Sequence, residues 1–181
     1  MRLSFDEAAI RLITRALASQ GAKAPMPAAG KQAAVLVPLC NRHGEASMLF
    51  QVRSHSVGTH KGQVSFPGGH RQDGESFEAA ALRETWEEMG SGVGPIDVLG
   101  YSHTVPAVTG TPVTPVFGWV KEDVGDFERF ELSPDEVDTV FTLRLEEMMA
   151  PGSKLMEDLG VRGRVPAFLC AGKPKVWGLT G

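Results

Sequence analysis

Apolar residues recur at helical spacing near the start of the chain and, after a break, in short runs of strand length. Between Phe5 and Ser19 the apolar positions lie three and four residues apart, which predicts an amphipathic helix. The pattern Ser4-Phe5-Asp6-Glu7 is that of a capping box and marks the start of this helix. Residues 21–30 are rich in Ala, Pro and Gly, which predicts a linker. Residues 1–30 are therefore interpreted as an N-terminal helix and linker.

The rest of the chain alternates short apolar runs with turn signals, a pattern typical of strands. A second helix is expected after Ser76, and a short third one at residues 146–150. The predicted strands are residues 33–39, 47–52, 96–105, 113–120, 127–132 and 137–143, followed by a last hairpin that includes Leu155, Val161 and residues 165–170. Strands surrounding two or three helices predict an α/β protein with a mixed sheet packed between helices.

Length and composition limit the fold and the partners. The chain has 181 residues, 42% hydrophobic and 22% charged, which suits a single domain over residues 1–181. Its net charge of -4 offers no basic surface to nucleic acid. No apolar run reaches the ~20 residues that span a bilayer, and no signal-peptide pattern opens the chain. We expect a soluble, cytoplasmic protein with Cys40 and Cys170 reduced, a disulfide between them being the alternative.

The candidate chemistry is concentrated in the second predicted helix. Glu84, Glu87 and Glu88 are spaced so that their carboxylates project from one side of it. Such like charges destabilise a helix by roughly a few tenths of a kcal/mol per pair, unless a cation lies among them. Carboxylate oxygens are the ligands that Mg²⁺ and Mn²⁺ prefer. Arg83 is four residues before Glu87 and is predicted to hold it. Taken alone, an acidic pair is more often a solvated helix face.

The residues ahead of this helix form turns. Pro67-Gly68-Gly69 and Asp73-Gly74 are turn signals, because they fix or relax the backbone. Ser76 is the predicted helix cap, close to the acidic residue Glu75. We assign Glu75 a structural role as the partner of Arg83.

The stretch from Gly69 to Ser91 resembles the Nudix box, G-x5-E-x7-R-E-U-x-E-E-x-G-U, where U is a bulky aliphatic residue. Its fixed positions are occupied by Gly69, Glu75, Arg83, Glu84, Glu87, Glu88 and Gly90. Thr85 and Ser91 depart from the pattern, since both stand where aliphatic packing residues are usual. The matches at fixed spacing outweigh the interpretation as a solvated acidic face.

The resemblance implies the α/β/α sandwich of the Nudix family, with the first helix as an addition lying on the sheet. Members hydrolyse nucleoside diphosphates linked to another group, using a divalent metal. The resemblance also implies that Glu84, Glu87, Glu88 and the Gly69 carbonyl hold Mg²⁺ or Mn²⁺. Glu84 and Glu87 are the predicted catalytic residues, and Glu87 is either a third ligand or the general base. A further carboxylate is often used, and the candidates, each more often a surface acid, are Glu128, Glu131 and Glu136.

The segment before the box is similar to the coenzyme A pyrophosphatase branch, whose signature is LLTxR(S/A)x3Rx3Gx3FPGG. The matching residues are Leu49, Arg53, Ser54, Gly62, Phe66, Pro67, Gly68 and Gly69. Phe50, Gln51 and Gly58 depart from it, and Gly58 replaces an arginine suited to a phosphate. His60 and Lys61 are close by and are candidates to supply that charge.

This second likeness implies hydrolysis of coenzyme A or acyl-coenzyme A to 3′-phosphoadenosine 5′-phosphate and (acyl-)4′-phosphopantetheine. The predicted substrate contacts are Arg53, His60, Lys61 and Phe66. Arg53 suits phosphate, a surface salt bridge being the alternative. A turn histidine is the alternative for His60, and packing is the commoner role for Phe66. The rival functions are a Nudix pyrophosphatase for ADP-ribose or NADH-type dinucleotides, and a non-catalytic binding module.

The remaining expectations concern the aromatic residues and the chain end. Residues 176–180 resemble the start of a final helix in this branch, which predicts that the natural chain continues past Gly181. Trp86 is assigned to core or interface packing, and Trp119 and Trp177 to packing. His103 is interpreted as a structural residue within a strand. A homodimer is expected from the relatives, many of which pair.

Overall fold

The computed structural model of the chain describes residues 3–21, 30–56, 61–158, 164–178 and 180. Its helices are α1 (Glu7–Ser19), α2 (Phe77–Met89) and α3 (Leu145–Met149), with a 3-10 turn at Ser91–Val93. Its strands are β1 (Ala33–Arg42), β2 (Glu45–Arg53), β3 (Val64–Ser65), β4 (Gly68–His70), β5 (Ile96–Tyr101), β6 (Val105–Pro106), β7 (Pro112–Val120), β8 (Val137–Arg144), β9 (Lys154–Asp158), β10 (Arg164–Phe168) and β11 (Val176–Trp177). No helix among these residues is long and apolar enough to cross a membrane.

The main sheet has eight strands and is mixed, as predicted. β1 runs parallel to β7 on one side and antiparallel to β2 on the other. β5 and β6 pair with β7, and β8 pairs with the outer side of β2. A separate three-stranded sheet contains β9, β10 and β11.

The short strands β3 and β4 fill the space where β1 and β2 separate. β3 pairs with β2, and β4 pairs with β1 through Val35 and Gly68. The Pro67 carbonyl also accepts a hydrogen bond of 2.8 Å from the Leu36 N–H. A Cβ at Gly68 would lie 2.3 Å from the Ala34 carbonyl oxygen, so only glycine fits. The predicted turn at residues 67–69 is thus part of the sheet.

α1 and α2 cover opposite faces of the main sheet. α2 packs through Phe77 and its alanines on Leu36, while α1 packs through Ile10 and Leu17 on Leu39. Leu36 and Leu39 are an odd number of residues apart in β1, so their side chains project from opposite faces. This arrangement confirms the predicted α/β/α sandwich with an added N-terminal helix. The first helix is capped by Asp6, whose carboxylate accepts from the Ala9 N–H at 2.8 Å, rather than by Ser4.

The strand predicted at residues 127–132 is absent from this part of the described chain, and turns take its place. Phe127 has a φ of 64°, and its N–H donates to the Val124 carbonyl. The Phe130 N–H in turn donates to the Phe127 carbonyl at 2.9 Å. Both rings pack on the core cluster that contains Met89 of α2. The alternation of apolar and charged residues therefore reflects a loop that partly buries two rings.

The C-terminal prediction is partly wrong. β9 and β10 form the predicted last hairpin, with Val161 outside the described residues. Residues 176–177 form β11, antiparallel to β10, instead of opening a helix. His103 is exposed in the connection between β5 and β6, because β5 ends at Tyr101.

Candidate active site

Helix α2 begins as its sequence predicts. The Ser76 hydroxyl accepts a hydrogen bond of 3.1 Å from the Ala79 N–H, which caps the helix. Gly74, with a φ of 77°, provides the turn immediately before it. The cap sets where the helix begins and therefore which residues turn towards β4.

Glu84 lies against the backbone of β4. A Cβ at Gly69 would approach its carboxylate carbon and oxygens to 2.5 to 2.6 Å. The Glu84 side chain is 17% exposed, so a carboxylate at this position reaches both the glycine strand and solvent. Any side chain at position 69 would therefore displace the Glu84 carboxylate.

Glu88 is the most buried of the three acids, with its side chain 2% exposed. One of its oxygens accepts from the Gly68 N–H at 2.9 Å, and the other lies 3.8 Å from Nη1 of Arg53. Burial raises the pKa of Glu88 to about 7, although Gln51, Gly68 and Arg53 act to lower it. The nearby Glu84 charge raises it further. Burial thus disfavours the ionised form of Glu88 more than its hydrogen-bond and charge partners favour it.

Arg83 joins the other acids of the helix. It donates to Glu75 at 2.8 and 3.1 Å, which confirms the predicted pair, and to the His70 carbonyl at 3.0 Å. Its Nη1 bridges Glu84 at 2.8 Å and Glu87 at 3.0 Å, which confirms the predicted contact with Glu87. Hydrogen bonds from Arg83 hold the pKa of Glu75 below its usual value. One guanidinium thus orients two of the three acids.

The donor set suits a hard divalent cation. Glu84 and Glu88 both face the Gly68-Gly69 backbone, and a cation there would favour the ionised form of Glu88 that burial disfavours. Carboxylate oxygens match Mg²⁺ and Mn²⁺. Glu87 is 55% exposed and is tied to Arg83. Among the described residues, no three acidic, His or Cys side chains already converge with the geometry of a metal site. Arg83 bonds one oxygen of Glu87 and one oxygen of Glu84, which leaves the other oxygen of each carboxylate to face a cation.

The predicted substrate contacts fall in different surroundings. Arg53, 25% exposed, lies at the end of β2 and forms an ion pair with Glu88, whose side chain is buried. Lys61 is exposed, and His60 lies outside the described residues. Phe66 stacks on Phe50 with ring centroids 5.0 Å apart, which is a packing role. Substrate binding by these residues stays a prediction.

The two departures from the box pattern are accommodated locally. Thr85 is fully buried, and its hydroxyl donates to the Ala81 carbonyl at 2.7 Å, so the polar atom is satisfied. Ser91 is exposed, while Val93 two residues later is buried beside Met89. Neither departure leaves the helix poorly seated.

Trp86 is 44% exposed, so its predicted place in the core is wrong. Its position on α2 explains the exposure, since the opposite side of the helix carries Ala81, Thr85 and Met89 into the core. Trp119 packs with the α1 cluster, as predicted. The interface alternative for Trp86 stays a prediction.

The loop after Phe130 closes over the end of α2. The N–H groups of Glu131 and Ser133 donate to the carbonyls of Met89 and Glu88, both at 3.0 Å. The Glu136 carbonyl accepts from the Ser54 N–H at 2.8 Å, next to Arg53. Of the three candidate carboxylates outside the box, Glu131 and Glu136 are thus on a loop beside the site. All three, including Glu128, are exposed.

Gln51 is a residue of the site that sequence reasoning missed. It is fully buried in β2 and close enough to Glu88 to act on its pKa. The signal available in the sequence was its departure from the threonine of the branch signature. Nothing local in the sequence indicated that this amide meets an acid from the helix.

The site can be compared with known proteins. A family model described as NUDIX domain matches residues 30–160. The Cronobacter sakazakii protein named Uncharacterized Nudix hydrolase NudL is 40% identical over 134 residues, 74% of this chain and 67% of the relative. Nudix hydrolase 3 of Caenorhabditis elegans is 31% identical over 163 residues, 81% of this chain and 68% of the relative. A solved binary complex of a C. elegans Ap4A hydrolase has a TM-score of 0.51 at 23% identity, covering 64% of this chain and 81% of that one, a likeness in fold.

Proposed function

Because this chain belongs to the Nudix hydrolase family, we propose that it hydrolyses the diphosphate bond of coenzyme A and its thioesters. The products are 3′-phosphoadenosine 5′-phosphate and (acyl-)4′-phosphopantetheine. The observation that carries the proposal is the contact of Arg53 with Glu88. It joins the segment that resembles the coenzyme A branch to the acidic helix, so both motifs belong to one site.

The residues of the chain have distinct proposed roles. When bound, Mg²⁺ or Mn²⁺ supplies charge neutralisation of the diphosphate and activation of a water molecule. Glu84, Glu88 and the Gly69 carbonyl would hold the ion, and Glu87 would either complete the ligand set or accept the proton of the attacking water. Arg83 orients Glu84 and Glu87, and the Gly68 N–H orients Glu88.

The substrate is held by residues next to the ion. Arg53 reaches Glu88 through Nη1, and its planar guanidinium, with five N–H donors, suits a phosphate as well. His60 and Lys61 are proposed to supply further positive or polar contacts, and Phe66 an apolar contact. Homodimeric assembly, expected from the relatives, is part of the same proposal and is tested by light scattering.

The substrate is tested by product analysis. Purified protein is incubated with coenzyme A, acyl-coenzyme A, ADP-ribose and NADH, with and without Mg²⁺. We expect the highest kcat/KM for coenzyme A or its thioester. Without Mg²⁺ we expect no turnover of any of these substrates. Equal turnover of ADP-ribose would favour the rival Nudix pyrophosphatase. Product formation at the level of buffer alone would favour a non-catalytic binding module.

The acidic residues are tested by substitution. Glu84→Gln and Glu88→Gln should each reduce kcat by well over tenfold at unchanged unfolding temperature, because each removes an oxygen charge facing the ion. Glu78→Gln is the matched control, since Glu78 lies on the same helix but accepts from the Tyr101 hydroxyl. Near-normal rates in the first two variants would place the ion elsewhere.

A further inference from the structure

A buried polar pair lies beneath Glu88 without satisfied hydrogen bonds. Gln51 is fully buried in β2, and within the described chain neither its amide nitrogen nor its oxygen completes a hydrogen bond of ordinary geometry. Ser65 stands directly opposite in β3, and its hydroxyl is likewise buried and unpaired. Unpaired buried polar atoms are rare because they destabilise the folded state. A function at the site is one reason for such a cost to persist.

The register of the sheet directs Gln51 towards the acidic helix. Side chains alternate along a strand, so Gln51 and Leu49 project from the same face of β2. Leu49 packs with Met89 of α2, which places that face against the helix. Directly paired residues in a sheet also share a face, so the Ser65 hydroxyl lies on this side as well.

The other groups around Glu88 are a backbone donor and two charged side chains. The Gly68 N–H donates to one carboxylate oxygen, and Arg53 stands 3.8 Å from the other. Glu84 is close enough to oppose the charge of Glu88. Among these groups, Gln51 is the neutral side-chain donor, and rotation of its amide changes which atom faces the acid.

We propose that Gln51 is a positioning residue for Glu88. Its amide N–H donates to the Glu88 carboxylate when that carboxylate binds the divalent ion, and the Ser65 hydroxyl donates to the amide oxygen and fixes its orientation. This inference rests on the proposed function, because it presumes that Glu88 is a ligand of the ion. It concerns this chain in particular, since the coenzyme A branch that it resembles has threonine at the position of Gln51.

Binding of Mn²⁺ alone tests the inference without relying on turnover. Gln51→Met keeps the size of the side chain but removes both polar atoms. We expect the Kd for Mn²⁺, measured on the full chain by electron paramagnetic resonance of the free ion, to rise about tenfold to a hundredfold. We expect the unfolding temperature to be unchanged or higher, because an unsatisfied buried group is removed. Gln51→Leu carries the same expectation should the first variant fail to fold.

A matched control comes from the other side of the sheet. The Trp119 indole N–H is also buried and unpaired, but its ring packs in the α1 cluster. Trp119→Phe therefore removes an unsatisfied donor away from Glu88 and should leave the Kd for Mn²⁺ unchanged. Ser65→Ala should raise that Kd in the same direction as Gln51→Met and by a smaller factor.

The outcomes separate this inference from the proposed function. An unchanged Kd in a folded Gln51→Met variant, with Mn²⁺ binding lost in Glu88→Gln, would overturn the role of Gln51 alone. Equal weakening in Gln51→Met and Trp119→Phe would overturn it too, because general loosening of the sheet would explain both. A wild-type chain that binds no Mn²⁺ would overturn the metal site and this inference together.

Discussion

The Arg53 side chain forms an ion pair with Glu88 and is also proposed to bind a substrate phosphate. Its Nη1 lies 3.8 Å from a Glu88 oxygen, a separation that favours charge attraction over a full hydrogen bond. The contact is partly screened because the arginine side chain is 25% exposed. Loss of Arg53 should therefore have two effects, one on the acid and one on substrate recognition.

These two effects can be separated with a pair of substrates. Arg53→Ala should raise KM several-fold more for coenzyme A than for its 3′-dephospho form. Loss of the Glu88 contact affects both substrates equally, so only the difference in KM reports the 3′-phosphate. Steady-state kinetics on both substrates measure it. Equal changes in KM would remove Arg53 from recognition of that phosphate.

At the scale of elements, the site depends on how closely β4 approaches α2. The approach is set at Gly69, where a Cβ would come to 2.5 Å from the Glu84 carboxylate. The obstructing atoms are the far end of a side chain, so they can move while the backbone stays in place. A larger residue at this position should therefore displace a functional group without unfolding the protein.

Gly69→Ala tests this arrangement. We expect kcat to fall more than tenfold, with an unfolding free energy lowered by no more than about 1 kcal/mol. Gly44→Ala is the matched control: Gly44 has a φ of 75° in the β1–β2 turn and open space around it. That variant should lose roughly 1 kcal/mol of stability through backbone strain and keep its kcat. A normal kcat in Gly69→Ala together with a reduced kcat in Gly44→Ala would contradict the placement of the Glu84 carboxylate against Gly69.

A second connection between elements is made by Asp123, which joins the β1–β2 turn to the loop after β7. Its carboxylate accepts from the N–H groups of His43, Gly44 and Gly125 at 2.7 to 2.9 Å. Burial acts to raise the pKa of Asp123, but these hydrogen bonds outweigh it and hold the pKa below 3.8. A depressed pKa in the folded state gives stability above the unfolded value, lost as pH falls through the folded one.

Asp123→Asn should therefore destabilise the protein at pH 7, by on the order of 1 kcal/mol. As the pH falls through the depressed pKa of Asp123, the wild-type carboxyl also becomes neutral, and the gap between the two proteins should narrow. Urea unfolding over a series of pH values from 7 downwards measures it. A gap that stays constant with pH would show that the charge of Asp123 contributes nothing.

At the scale of the whole molecule, the two thiols differ in burial, so their reactivity measures how far the folded chain opens. Cys40 is fully buried in β1, where burial raises the pKa of its thiol to about 12. Cys170 is partly exposed near the small sheet, and burial raises the pKa of its thiol as well. Neither thiol forms a disulfide within the described chain.

Alkylation distinguishes the two thiols. With iodoacetamide at neutral pH, Cys170 should react slowly in the folded protein, and Cys40 should react only with the rate of unfolding, since the thiolate is the nucleophile. Peptide mass spectrometry with and without urea measures both. Rapid modification of Cys40 under native conditions would show that the sheet opens locally around β1.

Features of this protein that depend on short-range spacing were determined by its sequence alone. The Ser76 cap, the contacts of Arg83 with Glu75 and Glu87, and the acidic face of α2 follow from helix geometry within a few turns. The mixed sheet and its long strands also followed from apolar runs. The strands β3 and β4 were missed because two or three residues carry no periodicity.

Burial was decided by the tertiary structure. Glu87 and Glu88 are neighbours in sequence, yet their side chains are 55% and 2% exposed, because only Glu88 turns towards β2 and the Gly68 backbone. The loop that partly buries Phe127 and Phe130 has the same alternation as a strand. Gln51 meets Glu88 across 37 positions of sequence through sheet register alone. Spacing along one helix sets where charges project, whereas their energies depend on neighbours that only the assembled sheet supplies.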